Sequence, residues 1–362
     1  MAPPQLIRGG IPLTSVRGLN APQIRTLNDL WINTAQELAG VYGTGEPVRG
    51  RLAATLGIQR SALDPIVTAA QRLIPLMFGA PSRAIALDST EPEYGLGALL
   101  DNSDVVQQRE RDLPPYQGAF RPPLPDRHSL LEQLPPLRNQ GRRSTCVAHA
   151  ALALREQLEI AEGAPRDLDL SEQFVYWWCK ERDGLPTRPG TYLSLGMRCL
   201  GEIGAPSEAL WPYVSKPGPD EGQGPPPERA AGGDPAYRTA QTQALNRNDI
   251  AGMKTCLVEG RSIAFAIPVF ESWFKSPAMA RWGKITLPLA GEPVLEGHAM
   301  TLVGYQDDPQ TPGGGYFLVR NSWQPWAWDG TWAPGYGYLT YEYITAHANT
   351  VFSAHRPEAG MG

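Results

Sequence analysis

The spacing of apolar positions changes type along the chain. Up to residue 85 it is helical: Leu27, Leu30, Trp31, Ala35, Leu38 and Ala39 recur every three or four residues, as do Leu63, Ile66, Val67, Ala70, Leu73 and Ile74. That interval lines one face of an α-helix. Glycine-containing turns at 15–22 and 56–58 join these segments. Residues 86–125 lose the periodicity and gather Pro (Pro92, Pro114, Pro115, Pro122, Pro123, Pro125), which reads as a linker. Helical spacing returns at 146–161, through Val147, Ala150, Ala151, Leu154, Leu158 and Ala161, and again at 195–200. After residue 260 the period falls to two, with Ile263, Phe265, Ile267 and Val269 alternating with smaller residues, and further strand-like runs at 299–305, 316–320 and 336–341. A helical half followed by a β half predicts an α+β domain over 126–356, with a cleft where the halves meet, preceded by a small all-α domain over 1–85.

Composition narrows the function classes. Of 362 residues 42% are apolar, enough for a sizeable core, and the formal charge of −5 argues against nucleic acid or an anionic membrane as partner. No run is apolar for the roughly 18 residues a membrane span needs. The opening residues lack the basic-then-apolar plan of a secretory signal, so the chain reads as cytoplasmic. The run Val16-Arg17-Gly18-Leu19, followed by Ile24 and Leu27, resembles a helix-hairpin-helix unit of the kind that grips nucleic-acid backbone. Residues 1–80, however, hold seven Arg against four acidic residues and no Lys, too thin a footprint for phosphate binding. Packing against the neighbouring domain, or docking a protein partner through 1–85, fits better. A second irregular stretch, 216–235, has six Pro and five Gly in 20 positions and reads as a surface loop.

The four cysteines, Cys146, Cys179, Cys199 and Cys256, are too few for a disulfide framework and lack the paired spacing of a zinc site. Neither a metal nor another cofactor is expected. Three of the four sit in apolar or aromatic runs and read as small core residues. Cys146 differs. It opens a helix behind the Gly141 turn and two capping residues, Ser144 and Thr145. A helix N-terminus and a nearby imidazolium both lower a thiol pKa. A partner stands downstream, since His298 opens a buried strand and Asn321 ends another, beside Trp323. An Asn that engages one imidazole nitrogen leaves the other to face a thiol. His149, three residues beyond Cys146, is a rival base, but it lies along the helix rather than across a cleft.

Five motifs stand in the order found in papain-like cysteine peptidases, which this chain resembles over about 126–350. They are Gln140-Gly141 six and five positions before Cys146, Leu170-Ser171-Glu172-Gln173, Trp211-Pro212-Tyr213, Gly297-His298-Ala299 with Val303-Gly304-Tyr305, and Asn321-Ser322-Trp323. The resemblance implies a two-lobed fold and a peptide or protein substrate. It implies a Cys146/His298 pair oriented by Asn321, and oxyanion donors from the Gln140 side chain and the Cys146 backbone N–H. A substrate strand would lie along Gly190 and Thr191, and Ala266 and Ala299 would line an apolar specificity pocket.

The departures are as specific. Arg143 stands where secreted members carry a disulfide cysteine, Val147 replaces the usual Trp after the nucleophile, and Cys179 falls one position off the second disulfide cysteine. Gln324 replaces a Gly, and Trp326, Trp328 and Trp332 follow in a lengthened loop, as core or as an aromatic rim. The N-terminal region shows no pattern of the helical inhibitory propeptide of the secreted enzymes. The expected activity is peptide-bond hydrolysis on a specific target recruited by residues 1–85. The alternatives are acyl transfer to an amine by the same thiol, as in a ligase or crosslinker, and a catalytically silent peptide-binding module.

Overall fold

A computed structural model describes residues 10–78, 94–100, 113–116, 118, 123–216, 222–239, 241–327, 329–330 and 333–355. Four helices come first, α1 (Ala21–Asp29), α2 (Ala35–Gly43), α3 (Val48–Thr55) and α4 (Arg60–Phe78). Capping boxes start two of them. Asn20 accepts from the Gln23 backbone N–H and the Gln23 side chain reciprocates, and Thr34 and Glu37 do the same for α2.

Strand β1 (Arg127–Ser129) leads to a helical lobe made of α5 (Cys146–Ala161), α6 (Glu172–Lys180) and α7 (Leu193–Glu202). The second lobe contains β2 (Gln241–Ala244), α8 (Ile250–Val258), β3 (Ile263–Phe270), α9 (Glu271–Phe274), α10 (Pro277–Trp282), β4 (Lys284–Ile285), β5 (Val294–Asp307), β6 (Gly315–Arg320), β7 (Tyr336–Thr340), α11 (Tyr341–His347) and β8 (Thr350–His355). Its strands join in one sheet, ordered β2-β8-β3-β5-β6-β7-β4, with β1 paired to β5. The fold is therefore α+β, and no helix among the described residues is long and apolar enough to cross a membrane.

The period-two pattern of β3 has an origin in packing on both faces. All eight of its residues are buried. Ile263, Phe265, Ile267 and Val269 join a core that also holds Leu27, Leu38, Leu52 and Val67 of the N-terminal helices, whereas Ala264 and Ala266 face the core of α5. The alternation is of large with small residues, because α5 approaches one side of the sheet closely. Helix α5 was expected to be amphipathic, yet every residue from Cys146 to Ile160 is buried. Its polar side chains are paired there: Arg155 Nε donates to the Tyr237 carbonyl at 2.9 Å, Gln157 Nε2 to that of Gly260 at 3.0 Å, and Glu156 accepts the Leu170 N–H at 2.9 Å.

The N-terminal helices are docked on the β lobe. Glu37 and Lys284, both buried, form an ion pair at 2.7 Å, and the Lys284 ammonium also donates to Asn33 at 2.9 Å. A buried ion pair is a weak source of stability but a strong constraint on register, because either charge left alone costs several kcal/mol. It fixes how α2 sits on β4.

Candidate active site

Neighbouring strands bring the histidine and the asparagine together. His298 lies on β5, where the β5–β6 pairing sets Thr301 against Arg320, and Asn321 is the next residue after β6. His298 Nε2 is 2.8 Å from Asn321 Oδ1, and the Ser322 backbone N–H donates to the same oxygen at 2.8 Å. An amide oxygen only accepts, so Nε2 carries the ring proton and Nδ1 keeps its lone pair. Nδ1 has no hydrogen-bond partner among the described residues. The Trp323 ring stacks on the imidazole, centroids 4.2 Å apart and planes 22° off parallel. Burial pushes the His298 pKa down to about 4, opposed by the Asn321 bond, which favours the charged ring.

Cys146 is the first residue of α5 and fully buried. Thr145 holds the position before it, but its side chain does not cap the helix as expected, because its hydroxyl is bonded to that of Tyr213 at 2.6 Å. Burial pushes the Cys146 thiol up to about 12, against the pull of the backbone N–H groups of Ala299, Val147, Ala98 and Cys146 itself. The other three cysteines are also buried and free, with thiols raised by burial.

Gln140 is fully buried in the loop before α5. Its Oε1 accepts from the Ser322 hydroxyl at 2.6 Å, and its Nε2 donates to the carbonyls of Arg143 and Gly95, both at 2.8 Å. Gly95 belongs to a segment, 94–100, that the sequence reading assigns to the linker. This segment instead threads between the lobes, with residues 95–98 buried. Tyr94 stacks on Trp323 at 5.0 Å, and Trp323 Nε1 donates to the Gly95 carbonyl at 3.1 Å. Gly97 and Ala98 donate to the Gly297 carbonyl at 3.0 and 3.1 Å. Its two glycines are needed for close approach: a Cβ on Gly95 would lie 2.1 Å from the Arg143 carbonyl oxygen, and one on Gly97 would lie 2.3 Å from that of Ser144.

The same segment pairs with the wall expected to hold a substrate strand. Thr191 donates to the Gly97 carbonyl at 2.9 Å and accepts the Leu99 N–H at 2.8 Å, a parallel bridge centred on Ala98. Gly190 turns its own groups the other way, accepting from Lys180 and donating to Tyr176. Ala266 and Ala299 are cross-strand partners on β3 and β5, in the apolar cluster that holds Cys146 and Ala98, with Leu100 packed against it. His149, the rival base, is bonded to the Thr145 carbonyl at 3.0 Å and faces Glu172 at 3.9 Å, and burial depresses its pKa to about 3. Trp326 is core, packed edge-on to Trp323. Trp328 and Trp332 lie outside the described residues. The occupancy of the cleft by 94–100 had no sequence signal beyond its two glycines.

Comparison with known proteins bears on the family and the fold. Residues 125–345 match the family described as papain family cysteine protease. An uncharacterised peptidase C1-like protein of Acanthamoeba polyphaga mimivirus is 25% identical over 219 residues, 58% of this chain and 67% of that protein. Among solved structures, xylellain, a cysteine protease from Xylella fastidiosa, superposes with a TM-score of 0.61 at 23% identity, covering 73% of this chain and 97% of that one. The procathepsin B S9 of Trypanosoma congolense gives 0.52 at 17% identity, covering 72% and 87%. With the family match spanning more than half its length, the chain belongs to the papain family of cysteine proteases.

Proposed function

We propose that the chain is a cysteine endopeptidase in a self-blocked state, with Cys146 as nucleophile, His298 as base and acid, and Asn321 as the group that fixes the histidine. The observation that carries this reading is the His298 Nε2–Asn321 Oδ1 bond of 2.8 Å, which leaves Nδ1 unengaged beneath Trp323. A base must have an open lone pair and a fixed orientation, and this imidazole has both.

The chemistry follows from the residues. Once the cleft opens, water and the uncapped N-terminus of α5 favour the thiolate, and His298 takes the proton on Nδ1. The thiolate attacks the carbonyl carbon of a peptide held along Thr191. The developing oxyanion is met by the Gln140 amide and the Cys146 N–H. His298 then protonates the leaving amine, and water attacks the acyl-enzyme with His298 again as base.

In the closed state the carbonyl of Gly95 occupies the Gln140 donor and Ala98 sits against the thiol. Cys146 and His298 are both neutral there, each shifted by burial toward its uncharged form. Residues 1–85 serve as the recruiting domain, joined through 86–125 to the catalytic domain, 126–356, and the setting is cytoplasmic. Replacement of Cys146 by Ala tests the reading: peptide turnover and labelling by a peptidyl epoxide should both vanish, and labelling that persists would assign the chemistry to another cysteine.

A further inference from the structure

The wall at Gly190–Thr191 is held by two side chains of one helix face. Lys180 ends α6, and the three N–H groups of its buried ammonium are shared among four acceptors, Asp183 Oδ2 and the carbonyls of Leu185 and Arg188, all at 2.7 Å, and that of Gly190 at 3.0 Å. Tyr176 stands one turn earlier, and its hydroxyl accepts the Gly190 N–H at 3.0 Å. Both backbone groups of Gly190 are therefore taken by α6. Three carbonyls turned inward around one point repel each other unless a cation sits between them, and an ammonium there is far stronger than a neutral donor. Tyr176 carries the tie further. The Arg143 guanidinium lies 5.2 Å from its ring centroid and donates to Gln173 at 2.6 Å and to the Val214 carbonyl at 3.0 Å. Arg143 also supplies the carbonyl that Gln140 holds.

We propose that Lys180 is a positioning residue for peptide binding: it fixes Gly190, and through it the Thr191 N–H and C=O that a bound peptide pairs with. Through Tyr176, which lies under Arg143 and holds the Gly190 N–H, the loop that carries Gln140 and this wall are joined by a polar brace. The inference rests on the peptidase reading above. The brace acts on recognition of the peptide backbone and not on the thiol, so its loss separates KM from kcat.

The experiment uses the full-length protein carrying Gly97→Val, which clears the cleft, with and without Lys180→Met, Lys180→Arg and Tyr176→Phe. Turnover of a fluorogenic peptide is followed beside alkylation of Cys146 by iodoacetamide, a reagent that does not use the wall. Lys180→Met should raise KM about tenfold, the cost of losing charged hydrogen bonds, with kcat and the alkylation rate within about twofold of the parent. Tyr176→Phe, which removes a single hydroxyl, should raise KM by a smaller factor, and Lys180→Arg should recover part of the loss. An unchanged KM in Lys180→Met and Tyr176→Phe, or an equal fall in kcat and alkylation, overturns the inference while the peptidase reading stands. A parent whose Cys146 is alkylated readily but that turns over no peptide overturns that reading first and takes this one with it.

Discussion

The side-chain amide of Gln140 is bonded to the carbonyl of Gly95, 2.8 Å away, although 45 residues separate them. The same carbonyl accepts from Trp323, the residue stacked on His298. One backbone oxygen of the chain thus occupies a donor that the proposed chemistry needs for an oxyanion. The 94–100 segment is seated against the thiol, the Thr191 wall and the Gly297 carbonyl at the same time.

Displacing this segment should switch the protein on. In Gly97→Val the added side chain begins 2.3 Å from the Ser144 carbonyl oxygen, a contact with backbone that cannot yield. Overpacking of that kind costs about 1–3 kcal/mol, so labelling of Cys146 by a peptidyl epoxide should accelerate by about tenfold or more. Equal rates in the two proteins would mean that the segment does not limit access.

The pH profile of alkylation should move with it. In the closed chain the thiol is pushed up to about 12, so iodoacetamide should react slowly at neutral pH and faster only in alkali. In Gly97→Val the thiol regains water and the helix N-terminus, and its apparent pKa should fall to roughly 3.5–7.5, the range of activated cysteines. A profile that stays alkaline after Gly97→Val would count against His298 as its partner.

Asn321→Ala removes the acceptor that holds Nε2–H of His298. The ring can then adopt the other tautomer or turn, and kcat should fall by about 100-fold, the lower end of what a positioned acid–base group contributes. KM should change little by comparison, whereas the melting temperature should fall, because the buried Nε2–H of His298 and N–H of Ser322 both lose the Asn321 oxygen. Steady-state kinetics beside a melting curve separate the two effects.

Glu156 supplies a pH signature of the helical lobe. Burial raises its pKa from 4.5 to about 7, against the Leu170 N–H that favours the carboxylate. A carboxyl whose folded pKa is raised contributes stability in its protonated form, so that contribution is complete below about 4.5 and is lost as pH rises through about 7. Glu156→Gln keeps an acceptor for Leu170 without the charge. Its melting temperature should therefore gain on the native protein between pH 5 and pH 8.5, by the equivalent of about 3 kcal/mol at most. A constant difference across that range would show that Glu156 does not take up a proton on folding.

Much of the candidate site was legible because its chemistry admits few residue types. Gln140, Cys146, His298 and Asn321 stand in short motifs, and β5 and β6 carry the last two to one place by ordinary strand pairing. The occupancy of the cleft by 94–100 was not legible. Its sequence, Tyr-Gly-Leu-Gly-Ala-Leu-Leu, has no period and two glycines, which is how a linker reads. Its conformation is set by partners far away in sequence, at Gln140, Thr191 and Gly297. The wholly buried α5 misled the periodicity for a related reason. Its polar residues Arg155, Glu156 and Gln157 are inside because each meets a backbone group of another element. Lys180 gave no signal at all, since a lysine at a helix C-terminus is ordinary until the loop beyond it folds back onto the ammonium.

The central claim is that Cys146 is the reactive thiol and His298 its partner. The most direct measurement is mass-spectrometric mapping of the site labelled by a peptidyl epoxide in full-length protein carrying Gly97→Val, alone and with His298→Ala. The account predicts label on Cys146 only, slowed by about 100-fold or more in His298→Ala. Label on Cys179, Cys199 or Cys256, or on Cys146 at an undiminished rate without His298, would contradict it.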